Sequence, residues 1–393
     1  MGTRFRFLAG VVLPALLLTL SACNTTSSST PTGTGALFVA TLGDSSVSAF
    51  SIDLSAGTLT ANGSSVATGG TPAAMILAPS GTVLFILNSG TNDISAYTVK
   101  SDGTLAAAGG STATGGMTPL NMAMDSAGHF LFVANQGLQT DPASGTVSVF
   151  AVKDATLTAV PGSPFQVAAP AAPSGTGPAG VAVTPDGKFL YVANQFDSTV
   201  TKFSVDSSGV LTRDPAVVLV GTTPSTLSVT PNGGFLYVAN ASTLSGFAIC
   251  NQVVTTCNDP TSPDGTLTPI AGSPFSAGLA PVSIVATPSG KFLFVVDRMS
   301  NQVSQYKIAT GTGVLTPNTQ ATIGTGANPV WAAVRPGVTT VAATGGITDY
   351  LYVANLGGSS ISVYMFDSTV GLLGLVGAPV SITGGQPSAV AAE

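Results

Sequence analysis

A six-residue phrase recurs seven times along this chain, and it constrains the fold more than any other feature. Its clearest form is FLYVAN at Phe189–Asn194. The other copies, which range from FLFVAN to the looser ALFVAT, occupy residues 36–41, 83–88, 130–135, 235–240, 292–297 and 350–355. The last residues of successive copies are 46 to 59 positions apart. A unit of this length, repeated this often, predicts a repeat array built from one supersecondary element.

Each copy lies inside a longer frame of short apolar runs separated by turns. In the clearest frame a run beginning at Pro178 precedes the phrase, and an alternating run over residues 199–205 follows it. Runs of four to six β-branched or aromatic residues with Pro, Asp, Asn and Gly between them predict antiparallel hairpins. Four strands per unit form the blade of a β-propeller. The sequence therefore predicts an all-β fold, a seven-bladed β-propeller of four-stranded antiparallel blades over residues 36–393.

The two ends of the array complement each other. The first phrase, at residues 36–41, lacks the Pro-led run that precedes the other copies, and the chain ends in a Pro-led run, residues 387–392, that lacks its phrase. We expect the C-terminal run to form the innermost strand of a blade whose other strands come from residues 36 to about 61. Such pairing closes the ring and leaves only short sheet edges.

The N-terminal residues are typical of a targeting segment. Arg4 and Arg6 precede an apolar run over residues 7–20, which is shorter than the ~20 residues of a typical membrane span. The run ends in Leu-Ser-Ala-Cys, which resembles the lipobox of bacterial lipoproteins. This predicts a signal peptide over residues 1–22, a lipid on Cys23, a flexible Ser/Thr-rich tether over residues 23–35 and a lipid-anchored protein of the bacterial cell envelope. The alternative is an ordinary signal peptide followed by an incidental cysteine.

Composition excludes some partners. Only 7% of the residues are charged, and 11 basic against 17 acidic residues give a net charge of −6. No basic patch is visible, so nucleic acid is not expected as a partner. Past residue 22 no apolar run approaches the length of a membrane span. The membrane is therefore expected as a partner only through the lipid anchor, and a monomer is expected.

The remaining two cysteines lie close together, at Cys250 and Cys257. A disulfide between them is the expected state outside the cytoplasm. A zinc site is the weaker interpretation, because two thiols without neighbouring His or Cys cannot enclose the metal. We find no nucleophile elbow, phosphate-binding loop or calcium loop, so neither a cofactor nor a metal is predicted.

The longest phrases resemble a known family. TPDGKFLYVAN at residues 184–194, TPNGGFLYVAN at 230–240 and DGTLTPIAGSPF at 264–275 are similar to seven-bladed lactonase propellers, which include 6-phosphogluconolactonase-like proteins, and to the YVTN repeats of surface-layer propellers. The resemblance covers nearly all of residues 36–393. It implies the propeller fold and the hydrolysis of a sugar lactone.

Lactone hydrolysis needs a base that activates water and donors that stabilise the oxyanion. The related enzymes use clusters of His, Glu and Arg, whereas this chain has one His and one Glu. His129 falls in the turn between the first and second strands of its blade, where exposure at the surface is expected. Glu393 is the last residue of the sequence and is a poor catalytic candidate.

The turns after the repeated phrase are the better place for a site, because they open near the central channel. Asn194 and Asn240 end two copies and are candidate ligand-binding residues, although Asn also recurs at turns because its side chain binds the turn backbone. One copy ends instead in Asp297-Arg298, which we predict as the catalytic pair, a structural ion pair being the alternative. Trp331, the single Trp, stands two residues after its blade's Pro and could stack on a sugar ring or fill space.

Two functions remain open at this stage. One is a lactonase-like hydrolase acting on a small sugar lactone. The other is a non-catalytic propeller that binds a glycan or an envelope protein, since a fold does not fix a function.

Overall fold

Seven antiparallel sheets form among the residues that the computed structural model describes, which are 34–169, 174–251, 264–337 and 347–393. The predicted signal peptide, Cys23, most of the tether and Cys257 lie outside these ranges. We number the strands β1–β33 along the chain and the blades 1–7 in the order in which their second strands occur.

The strands of each blade run from the central channel outwards. The innermost strands of blades 1 to 7 are β33 (Pro387–Ala392), β5 (Pro72–Leu77), β10 (Pro119–Met124), β15 (Pro178–Val183), β19 (Thr226–Val229), β24 (Pro281–Ala286) and β28 (Pro329–Arg335). The second strands are β1 (Thr34–Thr41), β6 (Val83–Asn88), β11 (Phe130–Asn135), β16 (Phe189–Asn194), β20 (Phe235–Ala239), β25 (Phe292–Asp297) and β29 (Thr348–Asn355). The third strands are β2 (Ser46–Asp53), β7 (Asp93–Val99), β12 (Thr146–Lys153), β17 (Thr199–Val205), β21 (Thr243–Ile249), β26 (Gln302–Ile308) and β30 (Ser360–Asp367).

The outer strands are less regular than the other three. They are β3 (Leu59–Ala61), β8 (Leu105–Ala107), β13 (Thr156–Ala159), β18 (Leu211–Leu219), β22 (Leu267–Pro269), β27 (Leu315–Gly324) and β31 (Gly374–Leu375). In five blades a second short piece also pairs with the third strand, namely β4 (Val66–Ala67), β9 (Thr112–Ala113), β14 (Phe165–Gln166), β23 (Phe275–Ser276) and β32 (Val380–Ser381). The predicted four-stranded blades are thus confirmed, with the outermost strand divided in two in most of them.

The ring closes in blade 1, as the sequence predicts. The C-terminal strand β33 pairs antiparallel with β1, which places Leu37 opposite Ala392 and Val39 opposite Val390. Each innermost strand contacts the innermost strands of the two neighbouring blades, and β28 contacts β33, so the circle of blades is complete. One blade is therefore held together by both ends of the described chain.

The second strand is buried on both faces, which explains why the repeated phrase is apolar throughout. In β16 the consecutive residues Leu190, Tyr191 and Val192 are all 0% exposed. Side chains of successive strand residues point to opposite faces of a sheet. In a ring of stacked sheets both faces are covered by neighbouring blades, so a polar-apolar alternation is absent. Each such large side chain contributes about 1.5–3 kcal/mol through its burial.

Aromatic rings at the start of the second strands pack blades 3 to 7 each against the next blade of the ring. The ring of Phe189 lies over Gly265 in the turn between the third and outer strands of blade 5, so close that a Cβ on Gly265 would be 2.6 Å from Cγ of the ring. The same contact joins Phe130 to Gly209, Phe235 to Gly313, Phe292 to Gly371 and Tyr350 to Gly57. Each of these glycines has a φ between +67° and +81°, a conformation that glycine adopts without strain.

The up-and-down topology gives the propeller two different faces. We call one the connector face, because it carries the segments that lead from each blade into the next, together with the turns from second to third strands. The opposite, hairpin face carries the turns between first and second strands and between third and outer strands. No helix among the described residues is long and apolar enough to cross a bilayer.

Candidate functional site

The asparagines that end the repeated phrases make structural contacts. Asn194 is fully buried, and its Nδ2 donates hydrogen bonds to Oγ1 of Thr199 and of Thr201, each at 2.9 Å. Asn240 is 1% exposed and donates to Oγ of Ser245 at 3.1 Å. Equivalent bonds to the third strand are made by Asn88, Asn135 and Asn355. These amides hold the ends of two strands together.

A glycine of the incoming connector covers most of these side chains. A Cβ on Gly221 would lie 2.6 Å from Cγ of Asn240, and a Cβ on Gly278 would lie 2.4 Å from Oδ2 of Asp297. The same packing occurs at Gly69, Gly116 and Gly326 in blades 2, 3 and 7. A ligand could reach Asn240 or Asp297 only after its connector moved away.

Asp297 occupies the asparagine position in blade 6 and is 0% exposed. Its Oδ2 accepts hydrogen bonds from Oγ of Ser304 at 2.6 Å and from Nε2 of Gln302 at 3.2 Å. Burial raises the pKa of Asp297 above its ordinary value, although the hydrogen bonds from Ser304, Gln302 and the backbone of Gly278 oppose that rise. The carboxylate thus reverses the polarity of the asparagine contact, accepting from the hydroxyl instead of donating to it.

Arg298, the next residue, faces solvent. Its backbone N–H donates to the carbonyl of Ala280 at 3.0 Å, and the following amide, of Met299, donates to Leu279 at 3.1 Å. The connector at residues 279–280 therefore holds the backbone at Arg298 while the side chain stays exposed. Among the described residues it forms no ion pair, so the predicted alternative of a bridge with Asp297 is absent from this part of the chain.

The position of Arg298 sets it apart from the other described cations. Within the described ranges it is the only Lys or Arg in a connector or in a turn from second to third strand. The remaining lysines and arginines lie within strands or in the turns of the hairpin face. An anionic group approaching the connector face would meet this guanidinium, which can bind a carboxylate through two parallel hydrogen bonds.

Trp331 lies on β28 in blade 7, next in the ring to the blade of Arg298, and stands opposite Ala354 of β29. It is partly buried and packs against core clusters that include Val390 of the closing strand and Tyr352 of its own blade. Packing across the junction of blades 7 and 1 therefore buries part of the Trp331 side chain. The rest stays exposed.

Carboxylates other than Asp297 reach solvent on the connector face. Asp44 and Asp197 are both exposed, and each binds a hydroxyl of its own turn, with Thr41 donating to Asp44 and Thr199 to Asp197. Partial burial raises the pKa of Asp197, against the effect of the Thr199 hydrogen bonds. A raised pKa makes an accessible carboxylate a stronger base.

The two acid–base residues that seemed poor candidates both belong to the hairpin face. His129 lies in the turn between β10 and β11, where its side chain is 73% exposed and its Nδ1 is 3.9 Å from Asp125. Glu393 is exposed beyond the end of β33. The predicted surface position of His129 is confirmed, and neither side chain lies near Arg298.

No group of three or more His, Cys, Asp or Glu side chains in the described ranges could hold a metal ion. Cys250 is buried and disulfide-bonded. Its predicted partner, Cys257, lies outside the described residues, so the pairing stays a prediction.

Fold and site together define a class, a closed seven-bladed β-propeller. Within the described ranges its connector face carries the exposed carboxylates of Asp44 and Asp197 and one exposed arginine, Arg298. A family model described as lactonase, 7-bladed beta-propeller, matches residues 37–156 and 142–249, which together span more than half of the chain. The chain belongs to this lactonase propeller family.

Solved structures agree with this fold. A periplasmic gluconolactonase from Pseudomonas aeruginosa is 21% identical, with a TM-score of 0.70 over 92% of this chain and 99% of that one. A candidate 6-phosphogluconolactonase from Bacteroides fragilis is 22% identical, with a TM-score of 0.71 over 93% and 99% of the two chains. A similar candidate from Bacteroides uniformis is 20% identical, with a TM-score of 0.71 over 92% and 99%. At these identities the likeness shows the fold alone. No curated protein sequence matches the chain.

Proposed function

We propose that this protein hydrolyses a sugar lactone at its connector face. The observation that carries the proposal is membership of the lactonase propeller family, over a match that runs from the second strand of blade 1 to the third strand of blade 5. The names of the solved relatives from Pseudomonas and Bacteroides support the same reaction class.

In this proposal Arg298 binds the substrate. Hydrolysis adds water to the lactone carbonyl, and the carbonyl oxygen becomes an oxyanion that a fixed cation stabilises. Arg298 is exposed and bears the only described cationic side chain of this face, so it is the group suited to that role or to a substrate carboxylate or phosphate. Asp297, which is fully covered, acts as a positioning residue that ties the end of β25 to Ser304.

The base in this proposal is Asp197. It combines solvent exposure with a pKa raised by partial burial, whereas Asp297 has the raised pKa without the exposure. The base must be ionised to accept a proton from water, so activity should rise as the pH passes upward through its pKa. An Asp197→Asn enzyme should keep its KM and lose this rise together with most of kcat.

The test of the site is Arg298→Ala in a lactone hydrolysis assay on the purified protein. We expect kcat/KM to fall at least about a hundredfold, the usual loss on removing one oxyanion donor. Tm should be unchanged, because the guanidinium has no ion-pair partner among the described residues.

The matched control is Lys291→Ala, which removes an exposed cation from the same blade on the opposite face. It should leave both quantities at wild-type values. A lactonase whose Arg298→Ala variant keeps full activity would refute this assignment of the site.

The second candidate is a non-catalytic propeller that binds a glycan or protein. One observation favours it. The only His of the sequence, His129, lies exposed on the hairpin face, so it cannot serve as a base at the connector face. If this candidate is right, calorimetry should show that the protein binds a sugar lactone or an oligosaccharide without hydrolysing it. Trp331→Ala should weaken that binding. Measurable hydrolysis that depends on Arg298 decides against this candidate.

We also propose that the protein is a lipid-anchored component of the bacterial cell envelope. The proposal is supported by the apolar run ending in Leu-Ser-Ala-Cys23 and by the periplasmic location in the name of one solved relative. Cys23→Ser should move the protein from the membrane fraction to the soluble fraction. Equal membrane retention of the variant and the wild type would contradict the lipid anchor.

A further inference from the structure

Two of the seven junctions between blades lack the aromatic contact, because blades 1 and 2 begin the repeated phrase with Ala36 and Val83. The junction of blades 1 and 2 is one of them. At five junctions the first residue of the repeated phrase is Phe or Tyr, and its ring lies over a glycine of the next blade. In blade 1 this residue is Ala36. The turn of blade 2 that it faces nevertheless keeps its glycine, Gly103, with a φ of +78°. A Cβ on Gly103 would be 3.1 Å from Nδ2 of Asn62 and 3.6 Å from the Cβ of Ala36, and no ring lies over this glycine.

A cavity of about 310 Å³ lies where the ring is missing. Its lining includes Gly35, Ala36, Val99 and Gly103 together with polar residues such as Asn62 and Glu393. An engineered cavity of about 150 Å³ in another protein is large enough to take up benzene. The cavity at this junction can therefore hold one aromatic ring together with a substituent.

The surroundings of the missing ring are otherwise retained. At the junction of blades 4 and 5, Nζ of Lys202 donates to the carbonyl of Asp264 at 2.6 Å and lies 5.7 Å from the centre of the Phe189 ring. At the junction of blades 1 and 2, Nδ2 of Asn62 donates to the carbonyl of Asp102 at 2.7 Å. In both cases the bonded carbonyl immediately precedes the glycine. The slot thus keeps its glycine floor and a side chain bonded to the preceding carbonyl, and the amide of Asn62, instead of a ring, lies nearest to that floor.

The groups at the opening decide what kind of ring fits. Lys100, Asp102 and Glu393 line it and are exposed. The carboxylate of Asp102 already accepts hydrogen bonds from the backbone and the hydroxyl of Thr104, at 2.9 and 2.6 Å. The carboxylate of Glu393 lies beside Gly81, whose Cβ would be 3.3 Å from Oε1. A ligand with a hydrogen-bond donor on its ring would find an acceptor there.

We propose that this slot is a binding site for a small planar aromatic ligand that carries an N–H or O–H donor, such as an indole or a phenol. The ring lies in the cavity beside Ala36, at the position in the junction where five other junctions hold Phe or Tyr, and the donor faces Glu393. The site is on the hairpin face and is independent of the lactonase activity proposed for the connector face.

The test uses 5-fluoroindole as the probe and follows its ¹⁹F resonance during titration with the purified protein. The wild type should show saturable binding. Ala36→Phe places the missing ring in the slot, so binding should be lost while Tm stays the same or rises. Cyclohexanol, which is not planar, should bind more weakly than the probe.

A milder variant covers the case in which Ala36→Phe does not fold. Ala36→Val introduces the residue that blade 2 carries at the same position, Val83, and should weaken the binding of 5-fluoroindole. The reciprocal variant Phe189→Ala opens an equivalent slot between blades 4 and 5, and a second binding event is expected. Absence of saturable binding to the wild type, or wild-type affinity in a folded Ala36 variant, overturns the proposal.

Discussion

The last residue of each repeated phrase decides how the second and third strands of its blade are joined at the connector face. In five blades it is Asn, whose Nδ2 donates to hydroxyls of the third strand. Repetition of the residue indicated a structural role, and its burial agrees with that interpretation. The sequence also showed that Asp297, Arg298 and Trp331 depart from the pattern. It could not show that Asp297 is covered, because the covering residue, Gly278, belongs to a different segment.

Replacing Asp297 by Asn should stabilise the protein at neutral pH. Burial raises the folded-state pKa of Asp297 above its ordinary value of 3.8. A raised pKa means that the folded state binds the proton more tightly, so this contribution to stability is present below pH 3.8 and is lost as the pH rises through the folded-state pKa. An amide does not ionise, and it can donate to Ser304 as the asparagines of other blades donate to their hydroxyls.

We expect Asp297→Asn to raise the free energy of unfolding at pH 7, because the amide removes the cost of a buried carboxylate and keeps a hydrogen bond to Ser304. Urea unfolding of both proteins at pH 7 and below pH 3.8 measures the difference, which should shrink at the lower pH. A variant that is less stable than the wild type at pH 7 would show that the hydrogen bonds from Ser304 and Gln302 outweigh the cost of the buried charge.

At the scale of the element, the second strand could be predicted because two structural requirements act on the same residues. Its residues must suit a strand and must also be apolar on both faces, which leaves a conspicuous phrase. The outer strands carry weaker constraints, since one edge faces solvent, and their division into two short pieces was not predicted. The open slot at Ala36 had a visible signal in the sequence, an alanine where five copies have an aromatic residue, but its meaning depends on Gly103 in the next blade.

The contact between ring and glycine should contribute measurably to stability, and blade 7 offers a matched pair of glycines for testing it. Gly371 has a φ of +67°, and a Cβ there would be 2.2 Å from Cδ1 of Phe292. Gly377 has a φ of +63° and no atom within 4 Å of such a Cβ. Alanine at either position takes on the same backbone strain, about 1–2 kcal/mol. Only at Gly371 does it also collide with the ring.

We therefore expect Gly371→Ala to lower the free energy of unfolding by about 1–3 kcal/mol more than Gly377→Ala, the usual cost of overpacking. Chemical denaturation of the two variants gives the difference directly. Equal losses in both variants would mean that the ring of Phe292 moves aside without cost and that the aromatic contact adds little to the junction.

At the scale of the whole molecule, ring closure could be predicted from the numbers of repeated phrases and Pro-led runs. Seven phrases and seven Pro-led runs complete seven blades only if the last run joins the first phrase, and β33 does pair with β1. The function could not be predicted in the same way. The repeated residues build blades, and the few departures from the repeat become a site only through packing between blades that no single repeat encodes.

Closure should couple all the blades, so removing the closing strand should affect the whole protein. Deletion of residues 384–393 takes β33 out of blade 1 and exposes the edge of β1, where Phe38 and Val39 are 0% exposed in the intact ring. Val390→Asp, at a position that is 1% exposed, is a milder change that buries a charge without a partner. Both variants should lose the single cooperative transition in calorimetry and gain susceptibility to protease.

The control is Leu375→Asp on the outer strand of blade 7, where the side chain is 52% exposed, and it should unfold like the wild type. If the shortened protein keeps the wild-type Tm and a single transition, the C-terminal strand does not hold the ring closed.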